Sequence, residues 1–248
     1  MPSEQSAEWE REYATKRLPS SSRDAASTTL LWGLANLPFL GLTLGPGDTV
    51  LDVGCGSGRN ALTVAARTGA HVVGLDYAAT AIAAAEARAA AAEERIRKLL
   101  TFRRGDLRDG LPAADRSVSF VTDIFVYFHL TSAADRAAYR AEIRRVLRPG
   151  GVVLLSLAAA DDDYYARWTS RATPAADVAG VAPTGTDQRV GIGHVLHTEE
   201  TLRAELAPAL RPALLWSKRG RTVIDGEVYE RRTLAVLCVA PETGEAGL

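Results

Sequence analysis

The chain is predicted to be an α/β protein: a doubly wound, seven-stranded, mostly parallel sheet with its last strand antiparallel, preceded by an N-terminal helical cap. Three observations predict it. After residue 48, short apolar β-type runs alternate with longer Ala- and Arg-rich runs of helical period, the pattern that covers both faces of a parallel sheet. The first such run, Val50-Leu51-Asp52-Val53, ends in Gly54-Cys55-Gly56-Ser57-Gly58, and a helical pattern opens at once from Arg59. Finally, Val152 to Leu157 is a near-continuous apolar run behind Pro149-Gly150-Gly151, as a central strand buried on both faces requires.

The elements follow in order. Ser6 to Arg17 reads as a polar helix carrying Trp9 and Tyr13 on one face, four residues apart. Pro19-Ser20-Ser21-Ser22 links it to a second helix, Arg23 to Leu37, stopped by Pro38. Gly45-Pro46-Gly47-Asp48 is a turn that launches strand one, Thr49 to Val53. Helix Arg59 to Arg67, strand two from His71 to Leu75 ending at Asp76, and one alanine-dense helix from Ala78 to Leu100 come next. Thr101 to Arg103 starts strand three, Val118 to Asp123 is strand four, and Ser132 to Leu147 is a helix ahead of strand five.

Residues 158–197 show little periodicity and many Gly, Pro, Asp and Tyr residues, so this long segment is expected to be a lid or substrate insertion. Thr198 then reads as the N-cap of a helix running to about Leu206, with Glu199 and Glu200 in its first turn. Two closing strands, about Ala213 to Arg219 and Arg232 to Val239, flank a turn at Asp225-Gly226. The domain division is a cap over 1–44 and the α/β domain over 45–248.

Composition narrows the function. With 29 basic and 30 acidic residues the net charge is −1, so no global field favours nucleic acid or a membrane surface. Cys55 and Cys238 suggest small buried residues and no disulfide framework. The polar start of the chain is unlike a signal peptide, and no apolar run is clean enough to span a bilayer; a cytoplasmic, soluble protein is expected.

Glycines without Cβ at the end of strand one let a ligand lie against bare backbone, beside the unpaired N–H groups of the next helix. That is a nucleotide-type pocket. The spacing Gly54-x-Gly56-x-Gly58 is one residue tighter than the dinucleotide fingerprint, and Asp76 follows at about the 20-residue distance suited to ribose hydroxyls. Gly105-Asp106-Leu107 after strand three and Leu147-Arg148-Pro149-Gly150-Gly151 before strand five complete four signals in register.

Together these resemble the class I S-adenosylmethionine-dependent methyltransferases over about Thr49 to Leu157. More loosely, Ser57-Gly58-Arg59-Asn60-Ala61-Leu62 and the Trp9…Tyr13…Arg17 segment are similar to the tellurite-resistance and thiopurine methyltransferase-like group. The resemblance implies that Asp52 and the Gly54, Cys55, Gly56, Gly58 turn hold the methionine part of the cofactor, with Asn60 just beyond. It implies Asp76 as acceptor for both ribose hydroxyls and Tyr77 against the adenine face. Asp106 would accept from the adenine amino group, Leu107 would cover the ring, and Asp123 would lie beneath the sulfonium or methionine amine. Trp9, Tyr13 and Arg17 would cover the cofactor.

Methyl transfer needs alignment of the acceptor and, where required, a base. His129, six residues past strand four, is the expected general base, with Tyr127 orienting the acceptor. Tyr164, Tyr165 and Trp168 are expected as an aromatic wall for the substrate, joined by His194 and His197. No metal is expected: His194 and His197 lack further ligands at suitable spacing, and Asp161-Asp162-Asp163 reads as solvated charge. The expected partner is a small-molecule acceptor, methylated on O or N, with C-methylation open. Two alternatives stand beside this: a non-catalytic S-adenosylmethionine-binding regulator or subunit, and a NAD-dependent oxidoreductase.

Overall fold

The computed structural model describes residues 4–171, 184–207 and 209–241. Ahead of the sheet lie α1 (Glu4–Thr15), the short α2 (Pro19–Ser22) and α3 (Thr28–Asn36). The alternating part runs β1 (Thr49–Val53), α4 (Arg59–Thr68), β2 (His71–Asp76), α5 (Ala79–Ala90), α6 (Glu94–Arg97) and β3 (Leu100–Arg104). It continues with β4 (Val118–Ile124), α7 (Ala133–Val146) and β5 (Leu147–Ala158). Then come α8 (Asp163–Trp168), β6 (Thr169–Arg171), β7 (Thr184–Asp187), β8 (Gly193–Val195), α9 (Glu199–Leu206), β9 (Arg211–Ile224) and β10 (Glu227–Val239).

The main sheet has the order β3-β2-β1-β4-β5-β10-β9. Strands β1 to β5 pair in parallel, and β10 is antiparallel to both β5 and β9. Strand order reverses between β1 and β4, so the connections leaving these two strands diverge to opposite faces. That divergence opens a crevice at their carboxyl ends.

Alternation along the strands divides the core. Leu51, Val53, Val153, Leu155 and Leu157 face one side with Tyr139, Ile143 and Val146 of α7 and Leu202 and Leu206 of α9. Val50, Val152 and Leu154 face the other with Leu30 of α3 and Val64 of α4. Burial of these side chains on both faces is what fixes the register of the sheet.

Several regions differ from the sequence reading: the expected linker at 19–22 is the short helix α2, and the helix expected over 23–37 begins only at Thr28. The single helix expected over 78–100 is broken, because Glu93 takes an extended conformation and α6 restarts at Glu94. An unbroken helix there would be about 34 Å long, roughly twice the length of the five-residue strands it packs on. The break returns Ile96 to the core. Residues 158–197 are not structureless: α8 and a small antiparallel sheet, β6-β7-β8, occupy them, with 172–183 of the expected lid lying outside the described residues. The closing hairpin is also longer than expected, and it turns at Asp225-Gly226 with φ of 49° and 80°, as a tight two-residue hairpin loop demands.

The acidic run 161–163 is not uniformly solvated either. Asp162 is fully buried, caps α8 through Tyr165 N–H, and accepts from Arg231 Nε at 2.8 and 2.9 Å and from Arg232 N–H at 2.8 Å. This ties α8 to β10. Replacing Arg231 by Met should lower the unfolding free energy by about 3 kcal/mol, because a buried carboxylate is left without its counter-charge. Urea denaturation checks this, and a loss below about 1 kcal/mol would show that the pair is not what anchors α8.

Candidate cofactor and acceptor site

The glycine turn closes the carboxyl end of β1. Gly54, Gly56 and Gly58 have φ of 62°, 55° and 75°, a left-handed backbone that other residues adopt only at a cost. Space is equally restrictive: a Cβ on Gly54 would come within 2.2 Å of Val126 Cγ2, and one on Gly56 within 2.3 Å of the Tyr13 hydroxyl. Gly58 is the N-cap of α4 and is backed by Phe102 and Ala85.

Asp76, at the end of β2, holds the turn. Its Oδ2 accepts from Gly56 N–H at 2.9 Å and its Oδ1 from Ala78 N–H at 2.9 Å. Burial pushes its carboxyl up to about 6, against those two N–H groups, which favour the charged form. Asp52 lies under the same turn, accepts from Thr122 Oγ1 at 2.6 Å, and is likewise pushed up by burial to about 6.

A cavity opens over this turn at the ends of β1, β2, β3 and β4. Of the residues expected for the cofactor, it is lined by Gly54, Cys55, Gly56, Asn60, Asp76, Tyr77, Asp106, Leu107, Trp9 and Tyr13. Helix α1 forms its roof: Gln5 Nε2 donates to the carbonyls of His129 and Gly193, both at 3.2 Å, and the Trp9 ring meets the His129 ring edge-on at 5.1 Å. Asp106 caps the turn after β3 and is clamped by Arg108. Burial acts to raise its carboxyl, but the Arg108 side chain and backbone outweigh burial and hold it below the usual range.

His129 also lines the cavity. Its Nδ1 lies 2.8 Å from the Gly193 carbonyl, which makes Nδ1 the protonated nitrogen and leaves a lone pair on Nε2. Burial pushes this imidazole down to about 3, only partly offset by the bond to Gly193.

Other expected site residues lie elsewhere. Asp123 is fully buried and does not reach the cavity: it accepts from Val126 and Tyr127 N–H at 3.1 and 3.0 Å and from the Tyr139 hydroxyl at 2.9 Å. It braces the turn after β4, where Phe125 has φ of 67°. Asp52 and Gly58 support the turn from below. Arg17 reaches away from the cavity to the Arg189 carbonyl at 2.9 Å and to Asp225. Tyr127 is fully buried, its hydroxyl donating to Glu205 and accepting from Arg140, both at 2.6 Å; an acceptor has no access to it.

The proposed substrate wall is a correction of the same kind. Tyr164 and Tyr165 are buried, and Tyr164 donates to Asp187 at 2.7 Å. Trp168 Nε1 donates to the Tyr229 hydroxyl at 2.8 Å. His194 packs on Tyr165 at 4.6 Å, and His197 Nε2 meets Glu205 Oε2 at 2.8 Å; both are fully buried. These aromatics form the core that joins α8 and β6-β7-β8 to the sheet.

Among the residues that sequence reasoning missed are Gln5, Phe125, Val126, Leu130, Thr131 and Asp135. The one signal for these six was position, since all but Gln5 follow strand four. Among the described residues no group of three His, Cys, Asp or Glu is placed to hold a metal.

The donor set fits S-adenosylmethionine better than a dinucleotide. A buried acceptor carboxylate suits hydroxyls and a cation, whereas a pyrophosphate at this turn would face Asp76, with Asp52 close below. Residues 50–151 match the methyltransferase domain family. A probable S-adenosylmethionine-dependent methyltransferase from Mycolicibacterium smegmatis is 38% identical over 114 residues, 44% of this chain and 38% of that protein. A putative methyltransferase from Encephalitozoon cuniculi is 28% identical over 66% of this chain and 77% of its own length. The chain thus spans under two fifths of the first relative and over three quarters of the second.

Two solved structures share the fold. A Haloferax volcanii chain, from a complex between the Trm112 methyltransferase activator and a putative methyltransferase, aligns with a TM-score of 0.65 at 22% identity, covering 98% of this chain and 100% of that one. The N-methyltransferase NodS of Bradyrhizobium japonicum, solved with S-adenosylhomocysteine, aligns with a TM-score of 0.63 at 17% identity, covering 97% and 100%. Fold and site define a nucleotide-type α/β domain with a tight glycine turn. Over residues 50–151 the chain is similar to methyltransferase domains, and its fold is the one these solved methyltransferases share.

Asp76→Ala should weaken binding of S-adenosylmethionine at least tenfold by calorimetry; unchanged affinity would remove Asp76 from the ribose site. Hydroxyl donors favour the ionised carboxylate, so wild-type affinity should be flat above about pH 6 and fall by up to about tenfold per unit below it. Asp76→Asn should flatten that dependence.

Proposed function

We propose that the protein transfers a methyl group from S-adenosylmethionine to a small-molecule acceptor, on oxygen or nitrogen. The observation that carries this reading is the roofed cavity: Asp76 and the glycine turn form its floor, Trp9, Tyr13, Phe125, His129 and Leu130 supply an aromatic and apolar part of its wall, and Arg59, Arg108 and Asp135 supply a charged part. A cavity roofed by α1 suits a compact acceptor better than a polymer. The nearly balanced charge of the chain supports the same choice.

S-adenosylmethionine supplies an electrophilic methyl group on a sulfonium that departs as a neutral thioether. The chain's residues then have modest tasks. Trp9, Phe125, Val126 and Leu130 exclude water and orient the acceptor. His129 is neutral at ordinary pH, and its free Nε2 can take a proton from an oxygen or nitrogen that turns strongly acidic as the new bond forms. An imidazole pushed to about 3 is a weak base, which favours an acceptor needing little activation. Free, buried Cys55 and Cys238 are consistent with a reducing compartment such as the cytosol.

Incubation with methyl-labelled cofactor and a panel of small hydroxyl and amine acceptors tests the reading. Label in a small molecule supports it; tight cofactor binding with label in none of them would favour a binding subunit or regulator. His129→Ala should lower turnover tenfold or more while cofactor affinity stays within about twofold, since base catalysis contributes roughly a hundredfold when well tuned. Wild-type turnover in that variant would end its role as base.

A further inference from the structure

Helix α5 begins without a cap of its own. Its N-cap residue is Ala78, extended at φ −76°, ψ 118°, with no side-chain oxygen to receive the first N–H groups. Those groups are not left open. Glu10, on α1, places Oε1 2.5 Å from Ala79 N and Oε2 3.0 Å from Thr80 N, and Oε2 also accepts from Thr80 Oγ1 at 2.7 Å. A residue 69 positions away therefore does what a local Ser or Asp ordinarily does. The carboxylate also meets the positive end of the α5 dipole.

The position of this contact gives it consequence. Glu10 lies on the same short helix as Trp9 and Tyr13, which roof the cavity, and one turn beyond Gln5, whose amide ties α1 to the His129 and Gly193 carbonyls. Just before the capped N–H groups, Ala78 N–H donates to Asp76 Oδ1, so three successive amides at the start of α5 join the roof to the carboxylate on the floor. Arg104, whose Nε donates to the Tyr77 carbonyl at 3.1 Å, adds favourable charge near Glu10.

We propose that Glu10 is a positioning residue, a latch that caps α5 from α1 and thereby holds the roof helix closed over bound cofactor. This rests on the reading of the cavity as the S-adenosylmethionine site. A 12-residue, mostly polar helix is marginal alone, and a single cap contributes enough to matter. Losing it should open the roof more often and leave the sheet intact.

The test uses the full chain and S-adenosylhomocysteine as probe, following its release in a chase, together with limited trypsin cleavage at Arg11, Lys16 and Arg17. Glu10→Gln should release the probe roughly fivefold faster and speed cleavage at those sites. A second variant separates latch from helix stability: Glu10→Gln with Ala78→Ser gives α5 a local cap without restoring the tie to α1. Fast release persisting in the double variant supports the latch; release returning to the wild-type rate shows that Glu10 only stabilises α5 and overturns it. Unchanged release in Glu10→Gln overturns it as well. Thr80→Ala, at an exposed residue, removes one of the three donors and should give about twofold faster release if the more severe variants fold poorly; no change there counts against the latch. If wild-type protein fails to bind the probe, the cofactor reading fails by itself, and the trypsin rates still decide whether Glu10 holds α1.

Discussion

The site depends on one buried carboxylate. Asp76 accepts from the glycine turn through one oxygen and from the start of α5 through the other, so β1, β2, α4 and α5 meet around a single charged group. Taking that group out of water raises its proton affinity, and the backbone N–H groups of Ala78, Gly56 and Tyr77 act in the other direction, favouring the charged form. With no Cβ on Gly54 and Gly56, the Val126 side chain and the Tyr13 hydroxyl press directly on the turn.

A second constraint governs the opposite wall. Phe125 adopts a left-handed backbone immediately after β4, a conformation costing of order 1 kcal/mol or more for a bulky residue. It persists because Phe125 N–H donates to the Ser156 carbonyl at 2.8 Å and the next two amides are held by Asp123. Asp123 thus shapes the cavity without entering it. The Glu205 cluster plays a comparable part further out, gathering Tyr127, Arg136, Arg140 and His197 and fixing α9 against α7. Glu205 is held well below the usual carboxylate range: burial acts to raise it, and His197, Tyr127 and Arg136 outweigh that.

The insertion between β5 and α9 shows how aromatic residues mislead. Tyr164, Tyr165 and Trp168 look expensive to expose, and the sequence offers a cofactor-sized pocket nearby to explain them. The structure gives them a cheaper fate: Tyr164 and Tyr165 are buried, Trp168 is half-buried against the core, and Tyr164 and Trp168 hydrogen-bond through their polar tips. Sequence periodicity could not reveal this, because the partners Asp187 and Tyr229 lie 23 and 61 residues away. The same distance problem hid Gln5 and Glu10, whose roles exist only once α1 folds across the sheet.

What the amino-acid order alone determined is everything governed by local rules. Alternating apolar runs set the parallel sheet, and glycines at fixed spacing set the turn. Asp76 and Asp106 were legible as cavity carboxylates because strand ends are predictable from periodicity. What tertiary structure alone decided is which polar groups face the cavity and which are consumed by the protein itself. Asp123, Tyr127, His194 and His197 carry chemistry on paper, yet their neighbours bind or bury them first. The physical reason is that a buried polar group must find its partner wherever the fold brings one, and that partner is rarely close in sequence.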